Sequence, residues 1–103
     1  EARTATILSV ALCRTGQAEA GLAWARRALA IDSDDAGIRY NVACLYAVEG
    51  QPDRALECLE MAIHRGFGKR DWFDRDPDLD PLRSDPRFQT LMEEAEARVL
   101  PRP

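Results

Sequence analysis

At 103 residues the chain has room for one domain with a single continuous core, much of whose surface belongs to the ends of whatever stack it forms. A formal net charge of -4 without any Lys/Arg-rich run argues against a nucleic-acid or anionic-membrane partner, because either needs a concentrated positive face. No stretch approaches the roughly 18 to 20 apolar residues of a membrane span, and the start has no basic-then-apolar signal pattern.

The first predicted helix runs from about Arg3 to Thr15, with Ala5, Leu8, Ser9 and Leu12 on one stripe and Ile7, Val10 and Ala11 on a second. Two stripes imply two packed faces. Gly16 supplies the left-handed turn that ends it. A second helix, about Ala18 to Ile31, should bury Gly21, Leu22, Ala25, Ala28 and Leu29, the small Gly21 letting two backbones approach. Asp32-Ser33-Asp34-Asp35 reads as a turn whose aspartates cap the third helix, about Ala36 to Glu49. Gly50 closes that helix. Pro52 opens the fourth at a position that needs no N–H, and Ala55, Leu56, Leu59, Ala62 and Ile63 form its buried stripe.

Beyond Gly66-Phe67-Gly68 the pattern changes to Trp72, Phe73, Leu79 and Leu82 scattered among Asp and Pro. The pairs Asp76-Pro77, Asp80-Pro81 and Asp85-Pro86 each read as a cap followed by a first-turn proline, so short helical turns are expected. A last helix, about Pro86 to Val99, places Phe88, Leu91, Met92, Ala95 and Val99 on one face and Glu93, Glu94 and Glu96 on the other. Together with Trp72 and Phe73 it should act as a lid with a polar exterior.

Gly16 and Gly50 lie 34 residues apart, and a shift by that distance superimposes Gln17 on Gln51, Leu22 on Leu56, Ala28 on Ala62 and Leu8 on Val42. The segments Tyr40 to Ala47 and Ala55 to Ile63 at this period resemble the helices of the tetratricopeptide repeat family. The run from Asp76 to Phe88 is similar to the segment that closes tetratricopeptide regions in bacterial multidomain signalling proteins, among them class III adenylate cyclases and Ser/Thr protein kinases. The resemblance implies an all-α antiparallel helix-turn-helix stack: two repeats, about 2–35 and 36–68, then an irregular Asp/Pro-rich connector and capping helix over 67–103. It also implies an accessory module. A start at Glu1, without an initiator Met and directly before a helix, fits a piece of a longer polypeptide.

Catalytic chemistry finds no footing in the residues. Asp74, Asp76, Asp78 and Asp80 alternate like calcium-loop ligands, but counting from Asp76 the turn glycine is replaced by Pro81 and the bidentate Glu by Arg87. The aspartates therefore read as helix caps. His64 lies about 120° around the helix from Cys58 and cannot serve it as a base, so it reads as a surface residue. Cys13, Cys44 and Cys58 lack the paired close spacings of zinc sites and read as small buried residues of a reducing, cytoplasmic setting. Gly66-Phe67-Gly68 is a turn rather than a phosphate loop, and Trp24 reads as core packing. No cofactor, metal or catalytic residue is expected.

The function expected is a protein-protein interaction module, with an extended peptide or partner helix in a concave groove. Mapped by the resemblance, the groove positions are Thr6, Val10, Cys13 and Arg14 in the first repeat and Tyr40, Asn41, Cys44, Ala47 and Val48 in the second. Tyr40 would be an aromatic anchor. Asn41 serves either the main chain of a partner or a bridge between helices. A clamp for a chaperone's C-terminal carboxylate would need lysines and asparagines here, and only Asn41 matches. The alternative is a regulatory or structural module of a bacterial cyclase or kinase that docks on its own polypeptide. The outer stripe of the first helix leads us to expect weak homodimerisation through residues 3 to 15.

Overall fold

The computed structural model describes residues 1–32 and 34–99. Ser33 and the Val99 side chain, both assigned above, lie outside the described residues. The chain is all-helical among these residues: α1 (Ala2–Arg14), α2 (Ala18–Ile31), α3 (Ala36–Val48), α4 (Pro52–His64), α5 (Arg70–Arg75), a 3₁₀ helix (Pro77–Leu82) and α6 (Pro86–Val99). None is long and apolar enough to cross a membrane.

Two helical hairpins, α1–α2 and α3–α4, close by the same hydrogen bonds. Gly16 takes a φ of 82° and Gly50 one of 76°, a region that side-chain-bearing residues avoid. Behind each glycine, Gln17 N–H bonds Leu12 C=O and Gln51 N–H bonds Tyr46 C=O, both at 2.8 Å. The glycine N–H groups reach Cys13 and Ala47. These paired bonds satisfy helix-end carbonyls that would otherwise lack partners. The expected turns at Gly16 and Gly50 are present, and Gly66 ends α4 in the same way, with Phe67 N–H on Ala62. At the other ends, the Asp35 carboxylate caps α3 by accepting from Ile38 N–H at 3.1 Å, and Pro52 occupies the first turn of α4.

α3 is the central element. It packs on α4, on both α1 and α2, and on the 3₁₀ helix. Its buried residues include Ile38, Val42, Leu45 and Tyr46, while α4 buries the stripe expected for it: Ala55, Leu56, Leu59, Ala62 and Ile63. α6 lies on α4 and α5 and buries Phe88, Leu91, Met92 and Ala95, leaving Glu93, Glu94 and Glu96 outside. Polar ties reinforce this lid: Arg87 bonds Asp53 at 2.9 Å, His64 bonds Glu94 at 3.0 Å and Arg70 bonds Glu96 at 3.0 Å. All are largely exposed, so they orient α6 more than they stabilise it.

Several expectations are corrected. In α1 the buried residues are Ala2, Ala5, Thr6 and Ser9, whereas Leu8 is at the surface and Ile7 is 70% exposed. The reason is the approach of α2: a Cβ on Gly21 would sit 2.8 Å from the Ser9 carbonyl oxygen and 2.5 Å from the Cys13 sulfur. Such contact admits only small side chains, so the helix turns its alanines and hydroxyls inward. The Thr6 and Ser9 hydroxyls, buried there, donate back to the carbonyls of Ala2 and Thr6. Trp72 does not join the lid; it is 55% exposed, and Phe73 alone is buried. Residues 70–75 form a helix where an irregular connector was expected. Asp80 caps nothing, because Pro81 falls inside the 3₁₀ helix and the Asp80 carboxylate accepts from Arg83 Nε instead.

The α1–α2 contact sets a stability test. Gly21→Ala gains about 1 kcal/mol of helix propensity, but its methyl meets a backbone oxygen that cannot move independently. We expect a net loss of about 1–3 kcal/mol, typical of overpacking, in urea unfolding. A stabilised Gly21→Ala variant would show that the two helices are not held at this distance.

Candidate functional site

Between α1, α3 and the start of the 3₁₀ helix runs a groove of about 310 Å³, lined by Val10, Cys13 and Arg14 of α1 and Tyr40, Asn41, Cys44, Leu45, Val48 and Glu49 of α3 and its cap. Asp76 and Asp78 complete its wall. Two requirements create it. Helices α1 and α3 lie in contact, and the Asp-Pro segment returns across α3. Pro77 starts that segment at a position where no N–H is needed, and the Asp76 carboxylate caps it by accepting from Asp78 N–H at 3.0 Å.

The groove thus brings together Val10, Cys13, Arg14, Tyr40, Asn41, Cys44 and Val48 of the expected set. Two expected members belong elsewhere. Ala47 is 2% exposed and packs in the core rather than on the groove. Thr6 is 5% exposed with its hydroxyl bonded to Ala2, and it borders only the neighbouring shallow depressions along α1 and Asn41. Tyr40 is not a free anchor either. Its ring packs against Phe67 and Phe73, with centroids 5.2 and 5.6 Å away, and its hydroxyl donates to the Asp76 carboxylate. Asn41 and Val48 are exposed, Val48 by 55%.

Leu45, Glu49, Asp76 and Asp78 line the groove beyond the expected set, and the sequence alone assigns the two aspartates only as helix caps. Read locally they are caps, and only the return of the connector over α3 brings them beside Tyr40 and Cys44. The Cys44 thiol lies 3.8 Å from the Asp76 carboxylate. Burial, with the Asp76 charge adding to it, pushes this thiol up to about 12. Burial and the bond to Asp76 likewise push the Tyr40 phenol well above its ordinary value. Burial, then the neighbouring Asp76 charge, raises the Asp78 carboxyl above the usual range, and Arg14 opposes this. The ligand atoms of Cys44, Asp76 and Asp78 lie within 4.8 Å of one another, a spacing that a metal ion can bridge. With its proton held this firmly, however, the thiol is a poor ligand until a metal displaces that proton. Elsewhere Cys58 is buried, and His64 is exposed against Glu94. Trp24 is partly buried against the core, with the Arg27 guanidinium 4.9 Å from its ring centre.

No protein-family model matches the chain, and no solved structure matches it.

The thiol sets a pH dependence. An unfolded thiol ionises near 9 and the folded Cys44 near 12, so between these values the folded chain keeps a proton that the unfolded chain has lost. Stability should therefore fall as pH rises from about 9 upward. Cys44→Ala is expected to flatten the decline of Tm between about pH 8.5 and 10.5, and slopes parallel to those of the original chain would refute the assignment.

Proposed function

We propose that this chain is a non-catalytic, tetratricopeptide-type interaction module that receives an extended peptide or partner helix in the groove between α1 and α3. The observation carrying this reading is the convergence of Val10, Asn41 and Val48, drawn from two helices about a repeat length apart, on one open groove. Two hairpins with identical glycine closures 34 residues apart support the repeat reading. Val10, Leu45 and Val48 offer apolar contact, and the exposed Asn41 amide offers both a donor and an acceptor to a peptide main chain. A preformed groove spares ordering cost on the receptor side. The non-catalytic reading is supported by Cys13, Tyr40 and Cys44, the groove's potential nucleophiles, all held protonated.

Selection of random heptapeptides on the full chain tests this. Recovered peptides should lose at least about tenfold in affinity on Val48→Glu, and less on Asn41→Ala, with Tm unchanged because both residues are exposed. Peptides that bind the variants and the original chain equally would remove the groove as the recognition surface.

A second reading has its own observation: the Asp76–Asp78 segment already lies across α3 at one end of the groove. The same surface can therefore accept polypeptide from its own chain, as expected of a C-terminal regulatory module of a bacterial cyclase or kinase. The exposed Ile7 on the outside of α1 supports weak self-association as well. Sedimentation should detect a concentration-dependent dimer that Ile7→Glu abolishes, whereas a strict monomer at high concentration would end that proposal.

A further inference from the structure

We infer that the carboxylate end of the groove is a seat for one cationic side chain, a lysine or arginine carried by the bound peptide between apolar neighbours. The inference rests on the peptide-groove reading and adds the chemistry of the occupant. Three carboxylates, Glu49, Asp76 and Asp78, line the groove against the single cation Arg14. Asp76 is committed, since its oxygens accept from the Tyr40 hydroxyl, the Cys44 thiol and Asp78 N–H. Asp78 and Glu49 form no ion pair among the described residues, and Arg14 closes none with either. Asp78, exposed, and Glu49, half-buried, thus line the groove with Arg14 as their one neighbouring cation among the described residues.

Like-charge repulsion excludes an acidic peptide here, and an entirely apolar one would desolvate Asp78 with nothing in return. A basic side chain satisfies both surfaces at once. Its methylene stem can lie along Val10 and Val48, which border the same groove, while its head meets Asp78. The bond formed there is charge-assisted, the stronger class of hydrogen bond. Binding should also draw the Asp78 proton equilibrium downward, so affinity should fall as pH drops into the carboxylate range, where Asp78 loses its charge before the basic side chain does. Among the described residues Arg14 is the one opposing cation lining this site, and it sets a limit on how much positive charge the groove accepts: one side chain, not a basic run.

The test uses peptides recovered on the full chain. They should share one Lys or Arg flanked by apolar residues, and replacing that base with norleucine should weaken binding about tenfold, replacing it with Glu more. Asp78→Asn should erase the difference between the lysine and norleucine peptides, by weakening the first and sparing the second its desolvation cost, with Tm unchanged because Asp78 is exposed. Val48→Glu separates the two claims. Peptides without a base that still lose binding in this variant would overturn the cationic seat and leave the groove standing; recovery of no peptide sensitive to it would bring down both. Addition of Co²⁺ to the full chain tests the rival cation. A thiolate-to-metal absorption band that disappears in Cys44→Ser would assign the carboxylates to a metal ion and overturn the proposal.

Discussion

The arrangement of the C-terminal third depends on one carboxylate. Asp76 accepts from its own turn at Asp78 N–H, from the Tyr40 hydroxyl of α3 and from the Cys44 thiol, while its backbone carbonyl accepts from Arg83 Nη2 at 2.9 Å. Arg83 Nη2 also bonds the Phe73 carbonyl at 2.8 Å, joining the end of α5 to the 3₁₀ helix. Hydrogen bonds to a charged group are worth about 1.5–3 kcal/mol each, and an unpaired buried donor costs a similar amount. The set therefore behaves as a unit. With it in place, Leu79 and Leu82 are fully buried beneath the connector and Phe73 is held against Tyr40. Without it, the connector would have only those apolar contacts to choose its position along α3, and contacts of that kind are not directional.

That dependence explains which parts of the molecule could be read from the residues alone. Local rules suffice for the turns at Gly16 and Gly50, for the Asp35 cap and for the stripe of α4, because each is decided within a few residues. α1 departs from its apolar pattern, since its neighbour comes close enough at Gly21 to exclude Leu8 and Ile7 from the interface. A period calculation weights those large residues most and so points the helix the wrong way. The six-residue α5 carries too little period to be seen, and its Trp72, the largest apolar residue there, turns outward.

The groove divides along the same line. Its two helical walls are expected through the resemblance, which maps Val10, Asn41 and Val48 onto inward positions of regular helices. Its third wall is not, because Asp76 and Asp78 reach the groove from more than 30 residues beyond Tyr40 and Cys44, through a connection that has no period. Asp before Pro is sufficiently accounted for by capping, and Asp76 does cap its turn. The same side chain has a second role that only the folded chain reveals.

The distribution of side-chain size along the stack has a mechanical consequence. Most of the largest fully buried side chains, among them Leu59, Phe73, Leu79, Leu82, Phe88 and Met92, lie in α4 and the elements that follow it. The buried surface of α1 is made of alanine, threonine and serine, which contribute little apolar area apiece. Buried apolar volume is therefore concentrated at one end of the molecule and sparse at the other, with α3 between them. The groove is built across that change, with one wall on each side of it. A tilt of the α1–α2 hairpin that altered its width would disturb fewer large buried side chains than the same tilt of α4 and α6.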